Sequence, residues 1–490
     1  MEASVDAARL SRQGYFKVIK KAKNSHWADF LAKTTPPQHP EGEKSVSPRK
    51  TPCFPEHPGA DSPVEIKGAL LNHLFPPKPE LTPKGRLHRN SSAIPLTKEE
   101  IADALAKSSP SSAPGPDGVP YSVWKRVNTM NSSLLLDLLA PLAAFDYHPT
   151  TIKHANGVVL DKPGKPSYDT AASFRILVLL KTVSKILECM LTVRLMSLAR
   201  QAGLLHPNYC GSLPGLSTSD AVATLTHEVR TLQRPLLKVS SLFLDIKAGF
   251  DNVNAARLRS LLLSNNIPSY MVDWVSSFLP GRKCTLVFQG TPNIPAPVSV
   301  GTPQGSPLSP LLFLIYVAPL HFSIPTGIMV SYVDDFSLTV ASPSHRPNIR
   351  RLQALFLNIS MKDSELEVSF SLPKTELIHW RTPSERSAPA LSPITLDGQV
   401  FHSAKMVRWL GYWLSPALST SHHFNHRLAL AKASFSFIKR LSSPGGGTRH
   451  FLAHSVGMGL FLPILTYGAD LLVPNHPTTY SMNPSWHRIC

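Results

Sequence analysis

Ser331-Tyr332-Val333-Asp334-Asp335-Phe336 is the stretch on which the reading of this chain turns. Adjacent carboxylates repel each other, and a folded core has no use for them. This pair interrupts an apolar run, Ile328-Met329-Val330 before it and Phe336-Ser337-Leu338-Thr339-Val340 after it. That pattern predicts two strands around a tight turn. An isolated Asp-Asp usually marks a solvated turn. The flanking strands, and a second acid elsewhere, argue here for a site in which a hard divalent cation offsets the repulsion. Neighbours on an extended strand face opposite sides. One of Asp334 and Asp335 is therefore expected to be the principal ligand and the other a secondary one.

The second acid is Asp245. It ends the apolar strand Leu242-Phe243-Leu244 and precedes Ile246-Lys247-Ala248-Gly249-Phe250-Asp251. Taken alone, it could also be an N-cap for the segment after Asn252. Two acids at strand tips can hold two Mg2+ ions roughly 3.5–4 Å apart, a pair that clamps the attacking and leaving oxygens of phosphoryl transfer. Between the two acids lies Gly301-Thr302-Pro303-Gln304-Gly305-Ser306-Pro307-Leu308-Ser309-Pro310. Its glycines let backbone approach a ligand closely, and Gln304 offers an amide to a base or sugar edge. Alone it is an ordinary proline-rich loop. Between two acid tips it reads as a template-and-nucleotide loop.

Composition narrows the function classes. The 490 residues hold 50 Lys and Arg against 32 Asp and Glu, a net charge of +18. That balance favours a polyanionic partner, nucleic acid before membrane. A hydrophobic share of 42% supports a sizeable core, and 46 prolines predict long irregular segments. The five cysteines, at 53, 189, 210, 284 and 490, form no Cys-x-x-Cys. This argues against a disulfide scaffold or zinc site and for a reducing compartment, nucleus or cytoplasm. His422, His423 and His426 complete no metal-ligand spacing and read as a polar helix face. No signal peptide opens the chain. The apolar run from Phe451 to Val473 contains His454, Pro463 and Asp470 and reads as a core helix broken at Pro463.

Residues 1–33 carry a helical pattern with a thin basic cluster, Lys20-Lys21-Ala22-Lys23, read as a solvated helix face; residues 34–61 read as a disordered linker. Thr97-x-x-Glu100 is a capping box, and Ala113 to Pro120 a rigid turn. Strands are expected at Gly157–Leu160, Leu242–Asp245, Cys284–Phe288 and Val298–Val300. Helices are expected at Ile186–Leu198, Asp220–Leu232, Ala255–Leu263, Tyr270–Leu279 and Leu308–Val317, with basic helices after 416. Gly445-Gly446-Gly447 reads as a flexible break.

Leu242-to-Asp245, Gly301-to-Pro310 and Tyr332-to-Asp335 resemble motifs A, B and C of reverse transcriptases. The match is closest to non-LTR retrotransposon polymerases of the long-interspersed-element type. It extends to Ala113–Val119, Asp161–Pro166, Ser173-Phe174-Arg175, Leu372–Thr375 and Trp409–Tyr412, and covers roughly residues 62 to 475. Trp27-Ala28-Asp29-Phe30-Leu31 resembles the connector that follows the endonuclease in such polyproteins.

The resemblance implies an α+β right-hand polymerase, with an antiparallel palm sheet packed on helices. It implies an N-terminal extension at 62–142, fingers and palm at 143–415 and a helical thumb at 416–490. Asp245 and Asp334 would be metal ligands for two Mg2+ ions, with Asp335 beside them and the Ile246 carbonyl contributing. Arg175, with Lys162 or Lys165, would hold the triphosphate, since a guanidinium binds phosphate bidentately. Phe250 would be the steric gate that excludes a ribose 2′-OH, or simply a core ring. Gln304 and Gly305 would face the nucleotide. Lys374 would assist pyrophosphate departure, or be a surface lysine. Trp409, Leu410 and Gly411 would form the primer grip, or pack only. The partners would be an RNA template, a DNA primer or target and dNTPs, the duplex tracked by the basic helices.

The chain departs from the pattern in places. Ala248-Gly249 reverses the usual order before the gate, and Ile176 stands where Pro is usual. Tyr209-Cys210-Gly211 lacks a Gln, and Leu216 stands where Arg is common. An endonuclease, RNase H and zinc knuckle are missing, so the chain reads as a truncated fragment. An inactive remnant, at most binding nucleic acid, is the alternative reading. An RNA-templated RNA polymerase would suit Asp245 and Asp251, but Phe250 and the Pro-Gln-Gly loop oppose it. A group II intron maturase fits Ser306-to-Pro310 less well.

Overall fold

The computed structural model describes residues 94–162, 173–233, 236–247, 249–288, 291–292, 295–325, 328–381, 392–441 and 450–469. The expected connector and linker, 1–33 and 34–61, and the triglycine lie outside them, as do Lys165 and Ala248. The first helix, α1 (Lys98–Lys107), opens with the expected capping box. Glu100 N–H donates to Thr97 Oγ1 at 3.3 Å, and Thr97 N–H to Glu100 Oε2 at 3.0 Å. Two more helices follow, α2 (Tyr121–Met130) and α3 (Ser132–Ala144). The turn before α2 is held close to the fold. A Cβ on Gly115 would stand 2.6 Å from Lys181 N, so only glycine passes there.

Strands β1 (His154–Asp161) and β2 (Phe174–Leu179) form an antiparallel hairpin. Helices α4 (Thr182–Gln201) and α5 (Thr218–Leu232) lead to β3 (Lys238–Asp245). Then come α6 (Ala255–Ser264), α7 (Ser269–Phe278), β4 (Arg282–Phe288), β5 (Thr291–Pro292) and β6 (Ala296–Val298). β4 pairs parallel with β1 and antiparallel with β5 and β6, completing one sheet. The strand expected at Val298–Val300 ends at Val298. Beyond it, the Val300 and Gly301 carbonyls turn onto the Arg282 guanidinium instead of a ladder.

Helix α8 (Ser309–Phe322), strands β7 (Met329–Tyr332) and β8 (Asp335–Ser342), helix α9 (His345–Leu366) and β9 (Glu376–Trp380) complete the central part. The second sheet has the order β7-β8-β3-β9, every pair antiparallel. It is buried on both faces, which is why β3 reads as an almost unbroken apolar run. Leu242, Leu244, Phe336 and Leu338 pack on one side into the main core, which includes α8 and α9 residues. Val239, Phe243, Val330 and Ile378 face a second core with α5 residues and Trp409 and Tyr412. α8 is apolar all round, and Leu311 to Ala318 are all buried.

Hairpin β10 (Ile394–Leu396) with β11 (Gln399–Phe401) and hairpin β12 (Val407–Trp409) with β13 (Tyr412–Leu414) precede α10 (Ser421–Leu441) and α11 (His450–Thr466). α11 is not broken at Pro463, as the sequence suggested, but runs on to Thr466. Residue 459, whose carbonyl a proline ring would crowd, is an exposed glycine with open space around it. The histidines after 420 do not form one polar face. His423 is buried, stacked on Tyr412 with centroids 5.3 Å apart and bonded through Nε2 to the Tyr467 carbonyl at 2.9 Å. His422 and His426 meet the Trp413 ring edge-on. No helix among the described residues is long and apolar enough to cross a membrane.

Candidate active site

The site begins with strand register. β3 and β8 pair so that Asp245 stands opposite Asp335, and Tyr332 opposite Asp335 closes the β7–β8 hairpin. Val333 and Asp334 form its two-residue turn. Val333 has φ 59°, a left-handed conformation that a β-branched residue rarely adopts. The surroundings hold it there. The Cys210 N–H donates to the Ser331 carbonyl at 3.0 Å, and Gly211 lies so close that a Cβ on it would stand 2.6 Å from Val333 N. Such over-determined strain is typical of functional sites. Tyr209-Cys210-Gly211, which departs from the family pattern in sequence, thus supports the acidic turn.

Asp334 joins the cluster through its backbone. Its carbonyl accepts the Ile246 N–H at 3.0 Å, which brings the residue after Asp245 against the turn. The three carboxylates feel one another. Burial, then the charges of Asp334 and Asp245, push the Asp335 carboxyl up to about 7; Lys374 opposes the rise. Asp334 is raised by burial and by Asp245. Lys374 Nζ lies 2.9 Å from Asp245 Oδ1 and 2.8 Å from Oδ2. Among the described residues, no three His, Cys, Asp or Glu side chains are gathered closely enough to hold a metal as they stand. The donor chemistry fits a hard cation all the same. The oxygens are carboxylates, their negative charge is under-compensated, and a side-chain ammonium already sits on one of them.

The Gly301–Pro310 loop is bonded to the segment that follows Asp245. Thr302 N–H donates to the Phe250 carbonyl at 2.7 Å, and Gly301 N–H to Val253 at 3.0 Å. Gly301 has φ 76°, with the Phe250 and Asp251 carbonyls 2.7 Å from where a Cβ would be. Gly305 has φ 135° and lies so close to β2 that a Cβ would meet the Val178 carbonyl oxygen at 2.3 Å. The adjacent Gln304 carbonyl accepts the Val178 N–H at 2.9 Å. These glycines are therefore required for seating the loop between the segment after β3 and the β1–β2 hairpin. Gln304 Nε2 donates to Asp251 Oδ1 at 2.9 Å.

Phe250 sits in a 3-10 turn, Gly249–Asn252, shortly after β3. Its ring stacks on Phe313 of α8, centroids 4.9 Å apart and planes 29° apart. Arg175 is on the exposed face of β2, paired across to Leu160. Lys162 N–H closes the same hairpin on the Ser173 carbonyl at 2.9 Å. Burial pushes the Asp251 carboxyl up to about 6, a rise that the Gln304 bond and the charges of Lys162 and Arg282 oppose. Trp409, Leu410 and Gly411 belong to the β12–β13 hairpin. Trp409 is buried on Phe243, while Leu410 and Gly411, both with positive φ, form the β12–β13 turn. The Tyr467 hydroxyl donates to the Leu410 carbonyl at 2.7 Å.

Two residues were not singled out from sequence. Arg282 is buried, and its guanidinium holds the Leu279, Val300 and Gly301 carbonyls at 2.5, 3.0 and 2.6 Å. Burial drops it to about 10. It anchors the start of the loop, and a lone arginine before a strand carries no sequence signal of that. Glu188 on α4 is fully buried; Ser184 donates to it at 2.5 Å, and Ser306 in the loop also bonds to it. An acid inside an apolar helical run was the available clue.

Carboxylates at the tips of paired strands, followed by a turn on which a glycine-rich loop is seated, have the donor chemistry of a phosphoryl-transfer site. Residues 160–414 match the family described as Reverse transcriptase (RNA-dependent DNA polymerase), more than half of the chain, and the chain belongs to that family. The family implies dependence on a divalent metal. Among curated relatives, the probable RNA-directed DNA polymerase from transposon BS of Drosophila melanogaster is 25% identical over 67% of this chain and 37% of its own length. The RNA-directed DNA polymerase from mobile element jockey of Drosophila funebris is 23% identical over 77% of this chain and 42% of its own. The chain thus spans about two fifths of the length of these relatives. A structure of apo telomerase from Candida tropicalis, truncated from its C-terminal domain, aligns at 10% identity with a TM-score of 0.37, over 61% of this chain and 60% of that one.

Proposed function

We propose that this chain is the polymerase part of a non-LTR retrotransposon protein, an RNA-directed DNA polymerase. The observation that carries the reading is the register of Asp245 against Asp335 beside the Val333-Asp334 turn, with its left-handed Val333. Asp245 and Asp334, with Asp335 and the Ile246 carbonyl, would hold two Mg2+ ions. When bound, the ions supply Lewis-acid stabilisation of charge during transfer of dNMP to a primer 3′-OH.

The remaining roles belong to the chain itself. Arg175 and Lys162 reach the triphosphate from the β1–β2 hairpin, which carries the loop on its Val178 edge. Phe250 lies under the sugar and excludes a ribose 2′-OH. Gln304 and Gly305 face the templated nucleotide. Trp409, Leu410 and Gly411 hold the primer strand, and α10 and α11 form a thumb that follows the duplex backbone. In this division residues 62–142 are an N-terminal extension, 143–415 fingers and palm, and 416–490 the thumb. RNA template, DNA primer and dNTPs are the partners.

The test is Mg2+-dependent extension of oligo(dT) on poly(rA) with dTTP by the full chain, beside Asp334→Ala. Extension by the unaltered chain and none by the variant is expected. A folded, monodisperse sample without activity would overturn the reading in favour of an inactive remnant.

A further inference from the structure

Asp251 has no assigned part in nucleotide addition, yet it is the residue on which the loop's only amide side chain closes. It follows Phe250 in the Gly249–Asn252 turn. The main chain of this turn and of Val253 seats the loop: Phe250 and Val253 carbonyls receive Thr302 and Gly301 N–H groups at 2.7 and 3.0 Å. Main-chain bonds fix where the loop lies. They do not fix which way the Gln304 amide points. That is set by the bond from Nε2 to Asp251 Oδ1 at 2.9 Å.

The chemistry of the pair makes the choice one-sided. An ionised carboxylate accepts only, whereas a primary amide has a donor end and an acceptor end. Facing Asp251, the NH2 end must turn inward, leaving Oε1 and the second N–H hydrogen for other partners. Burial raises the Asp251 carboxyl to about 6, and the Gln304 bond with the nearby charges of Lys162 and Arg282 opposes that rise, so the group is largely ionised at neutral pH. The same turn carries Phe250, so the proposed sugar gate and the amide are tied to one short segment.

We infer that Asp251 is a positioning residue for the incoming nucleotide, acting through Gln304 by fixing the orientation of its amide. This rests on the polymerase reading above. Asp251 does not itself touch the reacting atoms.

The experiment is a double-mutant cycle of Asp251→Ala and Gln304→Ala, with Asp251→Asn as the conservative variant, followed by dTTP steady-state kinetics and by thermal melting. Asp251→Ala is expected to raise the KM for dTTP about 10-fold, the size of a lost hydrogen bond to a charged group, with kcat nearly unchanged. Gln304→Ala should do the same, and the double variant no more. Asp251→Asn keeps an acceptor oxygen and should recover most of the KM. Additive effects, or a fall in kcat with KM unchanged, would overturn the inference and leave Asp251 a structural residue. The melting cycle needs no turnover. Coupling in melting from a chain that extends no primer would remove the polymerase reading and the positioning role with it. An active chain whose melting shows no coupling would overturn the inference alone.

Discussion

Lys374 Nζ is shared almost evenly between the two carboxylate oxygens of Asp245, at 2.9 and 2.8 Å, so a proposed metal ligand is already paired with a cation. The sequence offered Lys374 as either a pyrophosphate-side group or a plain surface lysine. The fold places it on the acid cluster, at the end of the 3-10 turn that leads into β9. Its side chain is 62% exposed while that of Asp245 is 17% exposed, so the ammonium can swing into solvent, and the mostly covered carboxylate it leaves calls for another cation.

Removing that ammonium should therefore tighten divalent-cation binding, though modestly. An exposed ion pair is worth roughly 0–1 kcal/mol, which limits the gain to about 5-fold. Lys374→Ala is expected to bind Mg2+, or Tb3+ as a luminescent probe, a few-fold more tightly in calorimetric titration. It should also extend primer more slowly. Unchanged or weaker affinity would show that the ammonium does not compete for the site.

The crowding of three carboxylates predicts a pH effect on stability in metal-free buffer. An unfolded aspartate ionises near 3.9. In the fold, Asp335 is held up to about 7 by burial and by its two acidic neighbours. Between those values the folded chain keeps a proton that the unfolded chain has lost. The contribution to stability is full at low pH and falls away as pH rises through about 7. Asp335→Asn removes the repulsion. Its unfolding free energy should exceed that of the unaltered chain by a gap that widens from pH 5 to pH 8, toward a ceiling of about 4 kcal/mol, read by chemical denaturation at each pH. A gap independent of pH would mean that Asp335 titrates normally.

Gly249 carries a third expectation. Its place in the reversed Ala248-Gly249 pair makes Gly249→Ala the natural way to restore the family order. The structure opposes that. A Cβ on Gly249 would meet Phe313 Cζ and Cε2 at 2.6 and 2.7 Å, and Phe313 is stacked on Phe250. An aromatic ring inside a packed helix has little room to give, so Gly249→Ala is expected to cost about 1–3 kcal/mol. Chemical denaturation would measure it. Phe313→Leu in the same chain should return part of the loss, and a neutral Gly249→Ala would place the ring elsewhere.

These cases also mark how far the residues could be read without the fold. Asp245, Asp334 and Asp335 were legible because acids at the ends of apolar strands have few structural uses. The glycine loop was legible because its position between them gave it a task. The helices expected at Ile186–Leu198, Asp220–Leu232 and Ala255–Leu263 are present and run over Thr182–Gln201, Thr218–Leu232 and Ala255–Ser264. What could not be read depended on partners distant in sequence. Nothing near Arg282 announces the Val300 and Gly301 carbonyls, and nothing near His423 announces Tyr467. The Phe313 ring behind Gly249 is likewise a tertiary neighbour, which is why the reversed pair looked like damage in sequence and looks like accommodation in the fold.

Phe250 gives the sharpest readout of the proposed chemistry. Its ring is set from two directions: Phe313 stacks against it at 4.9 Å, and its own carbonyl is held by Thr302 N–H at 2.7 Å. A ring fixed in this way can reject a 2′-OH by volume alone, without a hydrogen bond to the sugar. Phe250→Val should therefore raise the ratio of kcat/KM for UTP to that for dTTP by at least about 10-fold on the same poly(rA) template, mostly through better use of the ribonucleotide. Phe313→Leu, which loosens the ring without removing it, should give a smaller change in the same direction. If both ratios stay at the unaltered value, Phe250 is a core ring and the sugar is sensed elsewhere. If only Phe313→Leu moves the ratio, the excluding surface belongs to α8 and not to the turn after β3.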